Sequence, residues 1–539
     1  MVIRVHTDLR RAVTRLAIAA LIVGIACSCI AAVMGYLAYE SWYRAHEATK
    51  YLSLGAHYVK LELDAFGDGN AKLALKYLHL AEEYLNKALQ LDPKLGIAYY
   101  DLCVAFGNDG LFHHYYKLPN DTTFLQAIPW YRAHGDPEIY PGYPGSVWMV
   151  IAQRAFEKAL YYCHKCLQFP DIKGLCYLQL GAIYYNYVDN YTARKNIVLK
   201  YYFEALKYRD QIYRHSGRYG LSALYQNIAR TYLAMAEPWI AVKWYLKSFY
   251  TYPIDASVEH LIWSLIDLGN WSGAYWAAMQ YLKHPNWESD LGLMPAAISA
   301  FYLGWPYYER GDLAKALSWW SKAIHYCNEI ITKFGPSSDY YGEAARLKAL
   351  IYMYEGLYYI KHGERSKGID LLEKSRAMLL NDIKAMTDHI LHPTIPAEVP
   401  GSYYERALAY YYIGVIDLEL GEKSAALKMF SLAERDLLWL MNHPTLSNRE
   451  VAHRNYYILS YIALAGLYTK LAHVTGNATY LSLAKSDLEK LQKILSTNPE
   501  LAGWRMFFQR KFGKNIAEGL YQKIVEVGGI PVYFGVLEH

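Results

Sequence analysis

The sequence predicts an all-α protein: stacked helix-turn-helix pairs behind one membrane-spanning helix. Three observations carry that expectation. Leu16 to Ala38 is a run of 23 residues without a charge. Beyond it, apolar residues recur at steps of three and four in paired blocks, one face of a helix at a time. Tyrosine is in excess, with 55 Tyr against 15 Phe and 14 Trp in 539 residues, so the fold must place many large amphipathic rings. A hydrophobic share of 54% with 19% charged residues excludes a disordered chain.

The apolar run comes first. At about 1.5 Å per residue it spans roughly 34 Å, enough for a bilayer core. Arg10, Arg11 and Arg15 precede it, and Tyr36, Tyr39, Trp42 and Tyr43 follow as an interfacial belt. The positive-inside bias puts residues 1–15 in the cytoplasm, the span at 16–38, and a juxtamembrane helical segment at 39–69 on the far side. The expected location is an inner or plasma membrane, single-pass, with a periplasmic or other extracytoplasmic body. A cleaved signal peptide is the rival, but the run is long for one and no small-x-small site follows it. The net charge of +5 splits into a surplus of three over residues 1–50 and two over the remainder. The body therefore has no overall bias toward nucleic acid.

The paired blocks follow. Tyr225, Ile228, Ala229 and Tyr232 share one helix face; Ala241, Tyr245 and Ser248 share another, and Pro253 stops it. Small residues let the two helices approach and large ones fill the seam. The frame recurs in Ala300, Leu303, Gly304 and Tyr307, then Gly311-Asp312, Ala316, Trp320 and Ala323. It recurs again in Tyr410, Ile413 and Gly414, then Gly421, Ala426, Phe430 and Ala433. Weaker copies run from residue 70 to about 490.

This spacing resembles the tetratricopeptide (TPR) repeat. The resemblance implies an α-solenoid over residues 70–500, with a concave groove and a capping segment at 501–539. It also implies groove-lining positions on each first helix: Tyr100, Tyr185, Gln226, Arg230, Phe301, Trp305, Tyr308 and Tyr411. The Lys and Asn clamp of chaperone-binding TPR proteins is absent at these positions. An aromatic groove instead suits an apolar helix, an extended peptide or a lipid-like molecule, unless the chain's own insertions or C-terminus fill it. Two interruptions, 107–145 and 392–401, are rich in Pro; the first also holds His113, His114 and His134.

Chemistry-bearing motifs are few. Cys163-His-Lys-Cys166 is no haem site, because Leu167 stands where His is needed. A bridge from Cys163 or Cys166 to Cys176 is open to the chain outside the cytoplasm; a metal, or simple burial of small side chains, are the alternatives. His-Pro pairs at 284, 392 and 443 suit helix ends. Asn120, Asn190, Asn270 and Asn477 begin Asn-x-Ser/Thr sequons, a number near chance. No cofactor, metal or catalytic motif is evident, so no enzyme is expected.

The expected function is a membrane-anchored TPR scaffold or assembly subunit. It resembles the envelope TPR proteins that build or hold membrane-associated complexes. Protein partners are expected and self-association is left open. The alternative is a TPR protein that encloses a small apolar molecule for a transporter. A closed cavity would favour the second, an open groove the first.

Overall fold

The computed structural model describes residues 2–67, 70–115, 147–187, 191–287, 289–335, 338, 340–392, 399–442 and 451–530. Most of the first Pro-rich interruption, the core of the second, and Asn120 and Asn190 lie outside the described residues. So do the side chains of His113 and His114. Every described regular element is helical.

The chain divides into two compact units, Met1–Gln179 and Leu180–His539. The first contains α1 (Val2–Gly67), α2 (Ala71–Leu91), α3 (Gly96–Tyr115), α4 (Val147–Cys166) and the start of α5 (Lys173–Tyr187). Helix α1 pairs with α2, and α3 with α4. The apolar part of α1 is the described helix long and apolar enough to cross a membrane. Its residues Ile30, Met34, Tyr36, Tyr39 and Trp42 are exposed. Two disulfides hold the rest of this unit: Cys103–Cys163 joins α3 to α4, and Cys166–Cys176 joins α4 to α5. Of the two bridges to Cys176 that the sequence left open, the Cys166 one forms, and Cys163 pairs with Cys103 instead.

The second unit continues with α6 (Leu199–Lys207), α7 (Arg209–Ala234), α8 (Pro238–Thr251), α9 (Asp255–Asp267) and α10 (Trp271–Tyr281). Next come α11 (Ser289–Glu309), α12 (Leu313–Glu329), α13 (Tyr341–Lys361), α14 (Arg365–Leu391), α15 (Val399–Leu420) and α16 (Lys423–Asn442). Helices α17 (Val451–Thr475), α18 (Thr479–Thr497), α19 (Ala502–Phe512) and α20 (Ile516–Val527) complete it. From α7 to α18 each odd helix packs on the next even one, and each such hairpin packs on its successor.

One device builds these hairpins. The second helix puts a ring onto a small residue of the first. Tyr202 sits on Gly181, Trp320 on Gly304 and Phe430 on Gly414, so close that a Cβ at any of these glycines would strike the ring. Tyr202, Tyr245, Trp320 and Phe430 are all essentially buried, each contributing roughly 1.5–3 kcal/mol by leaving water. Much of the tyrosine excess is therefore seam. The turns also repeat. Gly311 adopts φ 79° and Asp312 N–H donates back to Tyr307 O at 2.9 Å. The Asp312 carboxylate then caps the next helix by accepting from Lys315 N–H at 3.2 Å. This left-handed residue followed by an N-cap is what makes a tight helix-to-helix reversal.

Arginines also stitch the helices, within hairpins and between them. Arg346 on α13 reaches Asp382 and Glu405, Arg376 on α14 reaches Asp417 and Glu422, and Arg406 on α15 reaches Asp436. Burial raises the Asp382 carboxyl to about 6, partly offset by Arg346.

Candidate binding site

The concave side of the second unit is crossed by the chain's own C-terminal helices. Gly503 of α19 lies against the Met235 carbonyl in the α7–α8 turn, where any Cβ would clash. That turn is itself unusual, because Ala236 holds φ 58°, a left-handed conformation disfavoured for alanine. Farther along α19, the Arg510 guanidinium stacks 4.3 Å from the Trp239 ring of α8. Lys511 Nζ donates to the Asp267 carbonyl at the end of α9, at 2.5 Å. After α20 the chain turns through Gly528, and Ile530 N–H donates to the Tyr411 hydroxyl of α15 at 3.1 Å. The backbone of Ile530 also packs on Gly466 of α17. The segment expected to cap the last repeat packs on α17 and α18, and it reaches back over the earlier first helices as well.

What remains beneath is a partly enclosed cavity of about 960 Å³, at the upper end for small-molecule sites. One wall is aromatic. Trp271 stacks on Tyr302 at 4.0 Å, and Trp305 meets Tyr354 edge-on at 4.8 Å. Tyr411 and Tyr412 complete that wall. The Trp305 indole N–H donates to Glu309 at 2.9 Å, so its polar edge is satisfied. Helices α19 and α20 supply Lys511, Phe512, Gln522, Lys523 and Glu526, and α17 supplies Lys470. Burial pulls both Lys470 and Lys511 below the usual lysine range, Lys511 to about 7; Glu419 and Asp267, respectively, oppose the shift.

The expected groove residues divide into distinct settings. Trp305 and Tyr411 line the cavity. Phe301 and Tyr308 stand behind it, in ring contact with Trp305; Phe301 is buried, and burial raises the Tyr308 hydroxyl to about 12. Tyr185 and Arg230 form a separate cluster, with the Arg194 and Arg230 guanidiniums each 5.0 Å from the Tyr185 ring. Gln226 is half-buried on α7 and Tyr100 half-buried in the first unit. The structure therefore brings Phe301, Trp305, Tyr308 and Tyr411 to one place and leaves the other four elsewhere.

A second surface had no counterpart in the sequence reading. Helices α6 and α8 carry four Lys against one Glu. On the second helices α6, α8 and α10, Phe203, Tyr250 and Trp276 are 37%, 74% and 41% exposed. They fall in two groups of neighbouring rings: Phe203 with Trp244 at 6.1 Å, and Phe249 with both Tyr250 and Trp276 at 5.3 and 5.7 Å. Lys247 holds its ammonium 4.0 Å from the Trp244 ring, and Lys207 and Lys243 are exposed beside it. Summing charge over the whole body hid this strip; a sliding charge window would have found it.

No family model and no curated protein matches the chain. Among solved structures it is similar to a monomeric mutant of IFIT1 with m7Gppp-AAAA, at 13% identity and TM-score 0.30, over 90% of this chain and 95% of that one. It is also similar to the APC/C hetero-tetramer Cut9-Hcn1, at 13% identity and TM-score 0.29, over 84% and 73%. A third is a circular tandem repeat protein with novel repeat topology, at 11% identity and TM-score 0.20, over 90% and 98%. Likenesses this distant carry nothing about function. The TPR-type helical-repeat fold stands on the chain's own series of hairpins.

Proposed function

We propose that the chain is a non-catalytic, membrane-anchored scaffold or assembly subunit whose extracytoplasmic body binds a protein partner with an acidic surface. The basic aromatic strip of α6, α8 and α10 carries this reading. Exposed rings clustered on neighbouring helices mark interaction surfaces, aromatic anchors dominate binding energy, and the four Lys against one Glu on these helices favour an acidic counterpart. The length and apolarity of α1 support the anchor. Two disulfides in the first unit suit a body outside the reducing cytoplasm.

The test is isolation of the native protein from membranes, with a variant combining Lys243→Glu, Lys247→Glu, Tyr250→Ser and Trp276→Ser. Wild type should retain a stoichiometric partner that dissociates as salt is raised. The variant should lose it by at least tenfold, since one central aromatic anchor contributes about 2 kcal/mol. Recovery of the wild-type protein alone would contradict the proposal.

One observation favours a second reading, the enclosure of a small apolar molecule. The concave face, where a repeat scaffold would take its partner, is crossed by α19 and α20 and reduced to a cavity.

A further inference from the structure

Helix α1 runs unbroken for 66 residues, so the charge-free run and the first helix of the body are one rod. Beyond Ala38 that rod packs antiparallel on α2. Tyr51 stacks near Tyr84 at 6.1 Å and Tyr58 near Tyr77 at 6.0 Å, so the ring pairs advance along one helix as they retreat along the other. Gly55 seats Leu85 so closely that a Cβ there would strike it. Followed toward the membrane, this pairing brings the end of α2 down to Arg44. An open cleft at that level is lined by Leu37, Glu40 and Arg44 of α1 and by Leu91 and Asp92. Arg44 lies six residues past the end of the charge-free run. That is about 9 Å along a helix, against a headgroup layer roughly 5–8 Å deep on each face. Tyr39, Trp42 and Tyr43, exposed on the same stretch, are ring types that settle at headgroup level. The α2–α3 turn beside them is ordered and polar. The Asp92 carboxylate accepts from Lys94 N–H at 2.9 Å, and Leu95 N–H donates to the Asp92 carbonyl at 3.3 Å. Pro93 restricts the backbone between them, and Pro93 and Lys94 are exposed at the tip.

We propose that the α2–α3 turn, residues 92–95, rests in the phospholipid headgroup layer of the bilayer that α1 crosses. The inference rests on the anchor reading above, and it is independent of the outer strip and of the cavity. The long apolar stem of Lys94 carries its ammonium to lipid phosphates. A turn that is already ordered gives up little freedom in making that contact. Together with α1, it supports the first unit on the membrane at two points instead of one.

The experiment uses the full chain, one copy per phosphatidylcholine nanodisc, with a nickel-chelating lipid added to the disc. Cys27 and Cys29 are exposed thiols and are replaced by serine, whereas Cys327 is buried. A nitroxide is then attached at Pro93→Cys or, for comparison, at Lys76→Cys. Lys76 is exposed on the same helix, roughly 25 Å farther from the membrane at the rise of an α-helix. Nickel held at the headgroups should relax the label at 93 several-fold faster than the label at 76. Flotation with phosphatidylcholine vesicles checks insertion separately. Equal relaxation at the two positions in an inserted chain overturns the headgroup contact and leaves the anchor standing. A chain that fails to float with the vesicles overturns both.

Discussion

Replacing Arg406 with methionine is expected to lower the stability of the second unit by about 3–5 kcal/mol. Its guanidinium grips Asp436 with two hydrogen bonds, Nε to Oδ2 at 2.7 Å and Nη2 to Oδ1 at 3.1 Å. A third hydrogen bond goes to the Thr387 hydroxyl at 3.1 Å. Arg406 is 6% exposed and Asp436 1%. Removing the arginine leaves the carboxylate buried, with Arg435 as its remaining charged contact on the solvent side. A double replacement, Arg406→Met with Asp436→Leu, should recover most of the loss, because an apolar pair of similar volume often matches a buried ion pair. Urea unfolding of the two variants beside the wild type reads both effects. A loss below about 1 kcal/mol in the single variant would match an exposed pair instead.

The second large effect concerns the first unit. Exchanging Cys103 and Cys163 together for serine should destabilise it by about 4 kcal/mol, because their bridge closes 60 residues and loop-closure entropy grows with that length. Exchanging Cys166 and Cys176, 10 residues apart, should cost about 2–3 kcal/mol on the same reasoning. Thermal melts of the intact chain with and without reductant, beside the two variants, measure this. Reductant should lower the wild-type midpoint as the exchanges do. A wild-type melt indifferent to reductant would mean that the thiols are unpaired in the native protein, and would remove the support they lend to an extracytoplasmic body.

The parts of the fold that were legible in the sequence are local. A hairpin is set by residues within about one repeat of each other. Gly304 and Trp320, or Gly414 and Phe430, announce themselves through spacing, and Gly311-Asp312 announces the turn between helices. The candidate site was only half legible. Trp305 and Tyr411 follow from the repeat frame, but their roof does not. Ile530 meets Tyr411 across 119 residues and Lys511 meets Asp267 across 244, and no periodicity encodes such a pairing. The arginine stitching has the same character. Arg376 and Asp417 sit 41 residues apart, and each reads as an ordinary helix-surface charge until neighbouring hairpins stack. Cys103 was missed likewise, since its partner lies beyond the Pro-rich interruption. The outer strip was missed for a simpler reason: a nearly neutral body concealed a basic segment balanced by acidic residues elsewhere.

The closing of the concave face by α19 and α20 is the claim on which the cavity depends. Helices of 11 and 12 residues are marginal by themselves in water, since nucleation outweighs so few backbone hydrogen bonds. Their amides report directly on docking. Hydrogen exchange on the full chain should find residues 504–512 and 517–527 protected over minutes to hours, approaching the protection of α15 and α16. A Gly503→Val variant, which drives a side chain into the Met235 carbonyl, should lose that protection in α19 first. Exchange of both wild-type helices within seconds would contradict the account, leaving an open groove where the cavity is drawn.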